Sequence, residues 1–265
     1  MNHIGKYDEL PFSRIREVYA DALSLGSKRN HAKSFIELDV TKTRELIRNH
    51  YCKTGEKISF TAWIAKCIGQ AVSEHRLMHA MVKRRKIIAF HDVDVAVLIE
   101  SKMGDHELPL PFIVRKANTK SVMEIMSEIT EGKKESISSE GILLNDTHIS
   151  KIAEIFFRLP RFIRRLILRW LFRSPFHLKR TIGTVMLSSV GAVGRFGYPS
   201  PIGVQPLFIA LGDIVKKPGV IDDKINIREY LYVTIAFDHD VVDGAPAARF
   251  VSRFANLVEN AYGII

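Results

Sequence analysis

The stretch Ala236-Phe237-Asp238-His239-Asp240-Val241-Val242-Asp243-Gly244 decides the reading of the fold. The residues leading into it, Tyr230 to Ala236, are rich in β-branched and aromatic side chains, as in a half- or fully buried strand. Those that follow, 244–262, set Phe250, Val251, Phe254, Leu257 and Val258 at helical spacing. A strand therefore enters a helix through a turn that carries His239. The strand fixes the backbone of the histidine and the turn exposes its ring. An imidazole takes up a proton near neutral pH, which suits a general base. Asp243 is placed to bond a nearby arginine or backbone amide, and Gly244 permits a tight turn before the helix. Taken alone, the pattern His-x-x-x-Asp-Gly also fits a histidine that only completes a turn hydrogen bond.

Outward from this stretch the chain alternates. Helices are expected over 11–25, 41–52, 60–75 and 119–133, the last closed by Gly132. Thr41 is a plausible N-cap for the second, and Ser59 or Thr61 starts the third. Strands are expected over 33–40, within 87–100, and over 111–115, 184–190, 206–213 and 229–237. Helices and strands in alternation around one sheet make an α/β layer architecture, here a single domain over 1–265. Residues 133–182 break the rhythm with a polar stretch and then a basic helical one, an elaboration of that domain.

Bulk properties narrow the class. The 265 residues are 46% hydrophobic and 26% charged, enough to bury a core without disulfides or metals. Cys52 and Cys67 form neither a disulfide framework nor a close metal-ligand pair, so both read as reduced thiols in a cytoplasmic protein. Cys67 lies in an apolar run and reads as core. Residues 1–20 lack the apolar region of a secretory signal. Much of the net charge of +10 sits in 158–180, which hold no acidic residue, so the charge has a local origin.

The stretch Phe237 to Phe250 resembles the signature of the dihydrolipoyl acyltransferase catalytic domain of 2-oxo acid dehydrogenase complexes, whose His-x-x-x-Asp-Gly core chloramphenicol acetyltransferase shares. Further blocks resemble that family in the same order. They are Pro11 to Arg16, Glu37 to Thr41, Ile58 to Ala80, Gly183 to Gly194, Pro201 to Gly203, and Ile209 to Gly212. The resemblance implies a chloramphenicol acetyltransferase-like two-layer sandwich, one large mixed sheet covered by helices. It implies direct acyl transfer from acyl-CoA to a thiol, hydroxyl or amine. His239 would be the base, and Ser188 would donate to the oxyanion. Asp243 would be structural, paired with Arg16 of the opening helix. Ser189 competes with Ser188, because a one-residue slip turns a strand side chain to the other face. A homotrimer, or a multiple of trimers, is implied, with His239 of one subunit facing the serine segment of the next. CoA is expected as substrate, with no metal and no lipoyl group on this chain. His31 has a weak claim to line a substrate channel. His91, Asp92 and Asp94 read as the flank of an exposed strand edge rather than a metal site, and Gly191, Gly194 and Gly197 as a turn rather than a dinucleotide fingerprint.

Two departures stand out. No lipoyl or subunit-binding domain is recognisable, and Asp240 stands where those enzymes carry arginine after the motif histidine. A lipoyl domain on another chain, or a carrier protein, remains an expected acceptor. The basic stretch sets Phe162, Ile163, Leu166, Ile167, Trp170 and Leu171 at helical spacing, with Arg161, Arg164, Arg165 and Arg169 largely opposite. The plain reading is an ordinary surface helix packed on the domain. The sharper readings are a membrane-surface contact through Phe162, Arg165 and Trp170, a lid over an acyl chain, or a dock for an acidic carrier. No nucleic-acid reader motif accompanies it. A catalytically inactive trimeric scaffold and a membrane-surface lipid-binding protein are the rival functions, the latter placing the protein peripherally at a membrane.

Overall fold

The computed structural model describes residues 5–103, 106–138, 155–156, 158–191, 194 and 197–264. Eight strands and seven helices are seen among them. In chain order they are α1 (Arg14–Gly26), β1 (His31–Asp39), α2 (Thr41–Thr54), α3 (Phe60–Glu74), β2 (Met81–Lys83), β3 (Lys86–Ile88), β4 (Val95–Met103) and β5 (His106–Val114). There follow α4 (Val122–Ser138), α5 (Arg161–Arg173), α6 (Pro175–Ile182), β6 (Val185–Ser189), β7 (Leu207–Ile221), β8 (Lys224–Asp238) and α7 (Gly244–Glu259).

Six strands form one mixed sheet in the order β1-β8-β7-β6-β4-β5. β6 runs parallel to both β7 and β4, and the other pairs are antiparallel. β2 and β3 make a separate hairpin. β5, one edge of the sheet, carries Pro109 and Pro111 opposite Glu100 and Leu98 of β4.

Alternation along the strands sorts the side chains into two layers. Leu187, Leu207, Ile209, Val233 and Ile235 face the helices, where they meet Trp63 of α3 and Phe250 and Phe254 of α7 in one core. Trp63 is fully buried, and its indole N–H donates to the Tyr262 carbonyl at 2.9 Å, so burial leaves no orphan donor. Ala96, Met186, Phe208 and Ala236 form a smaller cluster on the opposite face. Cys67 is buried, and desolvation raises its thiol pKa, in keeping with a core residue.

Several expectations shift. α4 continues to Ser138, and Gly132 lies inside it, where an added Cβ would strike the Phe112 ring. Gly132 is thus a close-packing glycine and not a helix stop. The run 87–100 divides into β3 and β4. Asp94 is buried rather than at an exposed edge, and it binds Arg115 at 3.0 Å and Lys179 at 2.8 Å. Thr41 begins α2 instead of capping it, and the Asp39 carboxylate accepts from the Thr41 N–H at 3.0 Å. β7 and β8 run far beyond their expected ends, pairing from Leu207↔Phe237 to Ile221↔Lys224.

The basic helix packs on the domain, as in the plain reading, but through three of its arginines, while Arg169 and Arg173 stay exposed. Arg164 is 3% exposed and meets Asp21 of α1, which is fully buried, at 3.2 Å and Glu17 at 2.9 Å. Arg161 and Arg165 also bind Asp21, each at 2.9 Å. Arg165, expected as a membrane or partner contact, is therefore committed to α1, with a second bond to Ser24. Burial of Asp21 favours the neutral acid, but the guanidinium partners outweigh it and hold its pKa below the usual value.

Candidate functional site

His239 follows the last residue of β8, and its backbone N–H donates to the Asn30 carbonyl at 2.9 Å. The ring is exposed, lies beside Phe237 with 6.1 Å between centroids, and has no hydrogen-bond partner among the described residues. Its neighbours in sequence are tied down. Asp238 pairs with Arg29 at 2.9 Å and accepts from the Asp240 N–H at 3.1 Å. Asp240, where the family carries arginine, accepts from the Asn30 side chain at 2.9 Å. The turn is thus laced to the residues before β1, and the free imidazole projects from a fixed backbone. Sequence reasoning passed over Arg29 and Asn30. Only the pairing His31↔Asp238 brings them here, and the sequence carries no local sign of it.

His31 opens β1 next to this turn. Its Nε2 lies 2.9 Å from the Gln205 carbonyl, its ring meets Phe208 edge-on, and burial lowers its pKa. A neutral His31 with its proton on Nε2 fits that bond. His79 is buried between Thr184 and the Phe90 carbonyl, and burial drives its pKa down to about 4. Both imidazoles are engaged, which leaves His239 as the accessible one of the three.

Ser188 lies in β6, opposite Ala210 of β7, which is in turn opposite Thr234 of β8. It shares the sheet face of Met186, away from the helices. Ser189, one residue on, points to the helix side and lines a cleft of about 920 Å³ with Ile47, Phe60, Met126 and Leu211. Arg44, Arg48 and Lys57 also line this cleft. Two strand spacings and five extended residues separate Ser188 from His239, which places their Cα atoms about 19 Å apart. A single chain therefore does not bring Ser188 and His239 to one reacting carbonyl, where both would have to stand within about 3 Å of their partner atoms.

The expected support residues stay apart within the chain. Arg16 and Asp243 are both exposed, and neither side chain has a partner among the described residues. Asp243 occupies the N-cap position of α7 without a side-chain cap bond. Gly244 does not adopt a left-handed conformation, and open space surrounds the position of an added Cβ. In the glycine-rich segment, an added Cβ on Gly191 would strike the Gly212 backbone, and one on Gly212 would strike the Gly197 carbonyl. These glycines serve close backbone approach. A second, smaller cleft of about 200 Å³ lies beside the His239 turn, lined by Arg29, Asp238 and Asp240 on one side and by Met81, Val82, Phe172 and Arg173 on the other. Among the described residues no group of histidine, cysteine and acidic side chains is arranged to hold a metal ion.

Comparison with known proteins gives a consistent picture. Residues 4–140 and 179–265 match the family described as 2-oxoacid dehydrogenases acyltransferase (catalytic domain). The lipoamide acyltransferase component of the branched-chain alpha-keto acid dehydrogenase complex of Bacillus subtilis is 24% identical over 95% of this chain and 52% of its own length. The dihydrolipoyllysine-residue acetyltransferase component of the Zymomonas mobilis pyruvate dehydrogenase complex is 24% identical over 100% of this chain and 53% of its own. The chain spans about half the length of these relatives. The cubic core of a pyruvate dehydrogenase multienzyme complex superposes with a TM-score of 0.75 at 18% identity, covering 99% of this chain and 96% of that one. A chloramphenicol acetyltransferase superposes at 0.51 and 12% identity, covering 95% of each chain. The two-layer sandwich expected from the sequence is the fold observed.

Proposed function

The chain belongs to the 2-oxoacid dehydrogenase acyltransferase (catalytic domain) family, and from that premise we propose that it transfers an acyl group from a CoA thioester to a thiol, hydroxyl or amine. His239 takes the proton from the acceptor as the acceptor atom attacks the thioester carbonyl. The carbonyl oxygen becomes an oxyanion that accepts a hydrogen bond from the serine hydroxyl of β6. The tetrahedral intermediate then collapses, the C–S bond breaks, and the imidazolium returns its proton to the departing thiolate of CoA. Every proton and electron pair is accounted for without a covalent acyl-enzyme. A lipoyl thiol carried on another chain fits the acceptor class.

The separation of His239 from Ser188 carries the reading. An exposed, unpartnered imidazole on a fixed turn and a serine about 19 Å away are two halves of a site that closes only when a second copy brings its own serine to the first copy's histidine. Such an assembly is a trimer or a multiple of trimers. The superposition with a multienzyme core is compatible with it.

The test is complementation between two inactive variants. His239→Ala and Ser188→Ala are each expected to be inactive alone in a CoA-release assay with a panel of acceptors. Dissociated, mixed in equal amounts and reassembled, they should recover about a quarter of wild-type activity, since that share of interfaces pairs an intact histidine with an intact serine. No recovery would refute a shared site. A specific observation favours a second version: Ser189, not Ser188, opens on the large cleft. Repeating the mixture with Ser189→Ala decides which hydroxyl serves.

A further inference from the structure

Helix α5 presents its apolar ridge to solvent. Because Arg161, Arg164 and Arg165 are drawn to Asp21, the residues Phe162, Leu166 and Trp170, four apart along the helix, are left 73%, 67% and 67% exposed. The surface continues through Trp170, whose ring meets His177 of α6 at 5.3 Å. The ring of the neighbouring Phe176, itself half-exposed, lies 4.5 Å from the Lys83 ammonium of the β2–β3 hairpin. That hairpin adds exposed Val82 and Ile87.

The hairpin tip is chemically unusual. Arg84 and Arg85 both hold left-handed backbone, with φ of 47° and 61°. A two-residue turn of this kind favours Asn, Asp and Gly. The other such turn in the protein follows the rule with Asp222 and Asp223. Bulky side chains are sterically poor in this conformation. Arg84 and Arg85 are exposed, and neither has an ion-pair partner among the described residues. The pairing of Lys83 with Lys86 holds the turn, and both guanidinium groups are left to solvent. Neither of the segments that build this face, 75–91 and 155–183, contains a single aspartate or glutamate.

We propose that this face docks on an anionic lipid bilayer. Charge complementarity is the ground: an aromatic and aliphatic ridge flanked by cations, with no acidic residue supplied by either segment, matches acyl tails lying beneath a layer of phosphates. An acidic protein would satisfy the arginines but leave Phe162, Leu166 and Trp170 against charged groups. The same elements supply Phe172, Arg173, Met81 and Val82 to the small cleft beside the His239 turn. The proposal does not depend on acyl transfer and is tested without it.

The intact protein is floated with phosphatidylcholine vesicles and with the same vesicles containing phosphatidylglycerol. Flotation is expected only with the anionic vesicles, accompanied by a blue shift of tryptophan emission. Trp63 is already buried, so the shift reports Trp170, and Trp170→Phe should abolish it. The pair Arg84→Gln/Arg85→Gln should weaken binding on the order of tenfold or more. Phe162→Ser/Leu166→Ser, which alters only exposed side chains, should do the same while leaving the oligomeric state unchanged. Absence of flotation, or full flotation of the arginine pair, would overturn the proposal. So would a smaller assembly in sedimentation of the Phe162→Ser/Leu166→Ser protein, which would give the face to a second copy. Retention on immobilised polyglutamate without flotation would give it to an acidic protein partner and equally reject the bilayer.

Discussion

In the proposed transfer His239 is available because no described residue hydrogen-bonds its ring. Its ring is exposed while its backbone is tied to Asn30 and flanked by the paired Asp238 and Asp240. His239→Ala should lower turnover by roughly 10²- to 10⁴-fold and leave the oligomeric state and melting temperature unchanged. Steady-state kinetics and sedimentation of the variant check both halves. Asp243 is exposed and has no side-chain partner among the described residues, so Asp243→Asn should alter the stability of a dissociated protomer by no more than about 0.5 kcal/mol, measured by urea titration. A larger loss confined to the assembled form would place its partner on the neighbouring subunit. The motif made His239 legible, because its strand-turn-helix setting is written in consecutive residues. Arg29 and Asn30 were not legible, since their approach depends on the long-range pairing of β1 with β8.

Among the elements, the α1–α5 contact centres on one buried carboxylate, Asp21, with Glu17 as a second partner of Arg164. Asp21 has its pKa lowered in the folded protein, so its contribution is fully present above the unfolded value near 3.9 and disappears as pH falls through the folded value. Melting curves in buffers below about pH 4 should show wild type losing stability on acidification faster than Asp21→Asn. At neutral pH, Asp21→Ala should cost about 3 kcal/mol, the low end for a broken buried pair, because Glu17 still holds Arg164. Gly191→Ala should cost roughly 1–3 kcal/mol by forcing β6 off the backbone of Gly212, read again by urea titration. Helix positions were largely visible in the spacing of apolar residues, as with Ser59, whose hydroxyl accepts from the Ala62 N–H at the start of α3. The orientation of α5 was not. Apolar periodicity says that two faces differ, but it does not say which one is turned inward, and a buried aspartate on a distant helix draws Arg161, Arg164 and Arg165 toward the domain. The ends of β7 and β8 were missed for a related reason. The expected strand stops at 213, short of Lys216, Lys217, Pro218 and Gly219, which cross-strand pairing carries as part of a long hairpin.

For the whole molecule, the arrangement of strands decides how copies can meet. β1 and β5 bound the sheet, and β5 bears Pro109 and Pro111 two residues apart, on one side of the strand's hydrogen-bonding pattern. Neither has an N–H to offer, so this edge strand carries two positions without a backbone donor, as edge strands tolerate. Pro109→Thr/Pro111→Thr should leave the fold intact while raising light scattering over time in concentrated solution. An unchanged scattering trace would assign the prolines no such role. The proposed assembly requires copies to join without adding edge to edge. Two imino acids at this border withhold backbone donors from lateral growth, which suits a closed particle with a definite number of members instead of an endless ribbon.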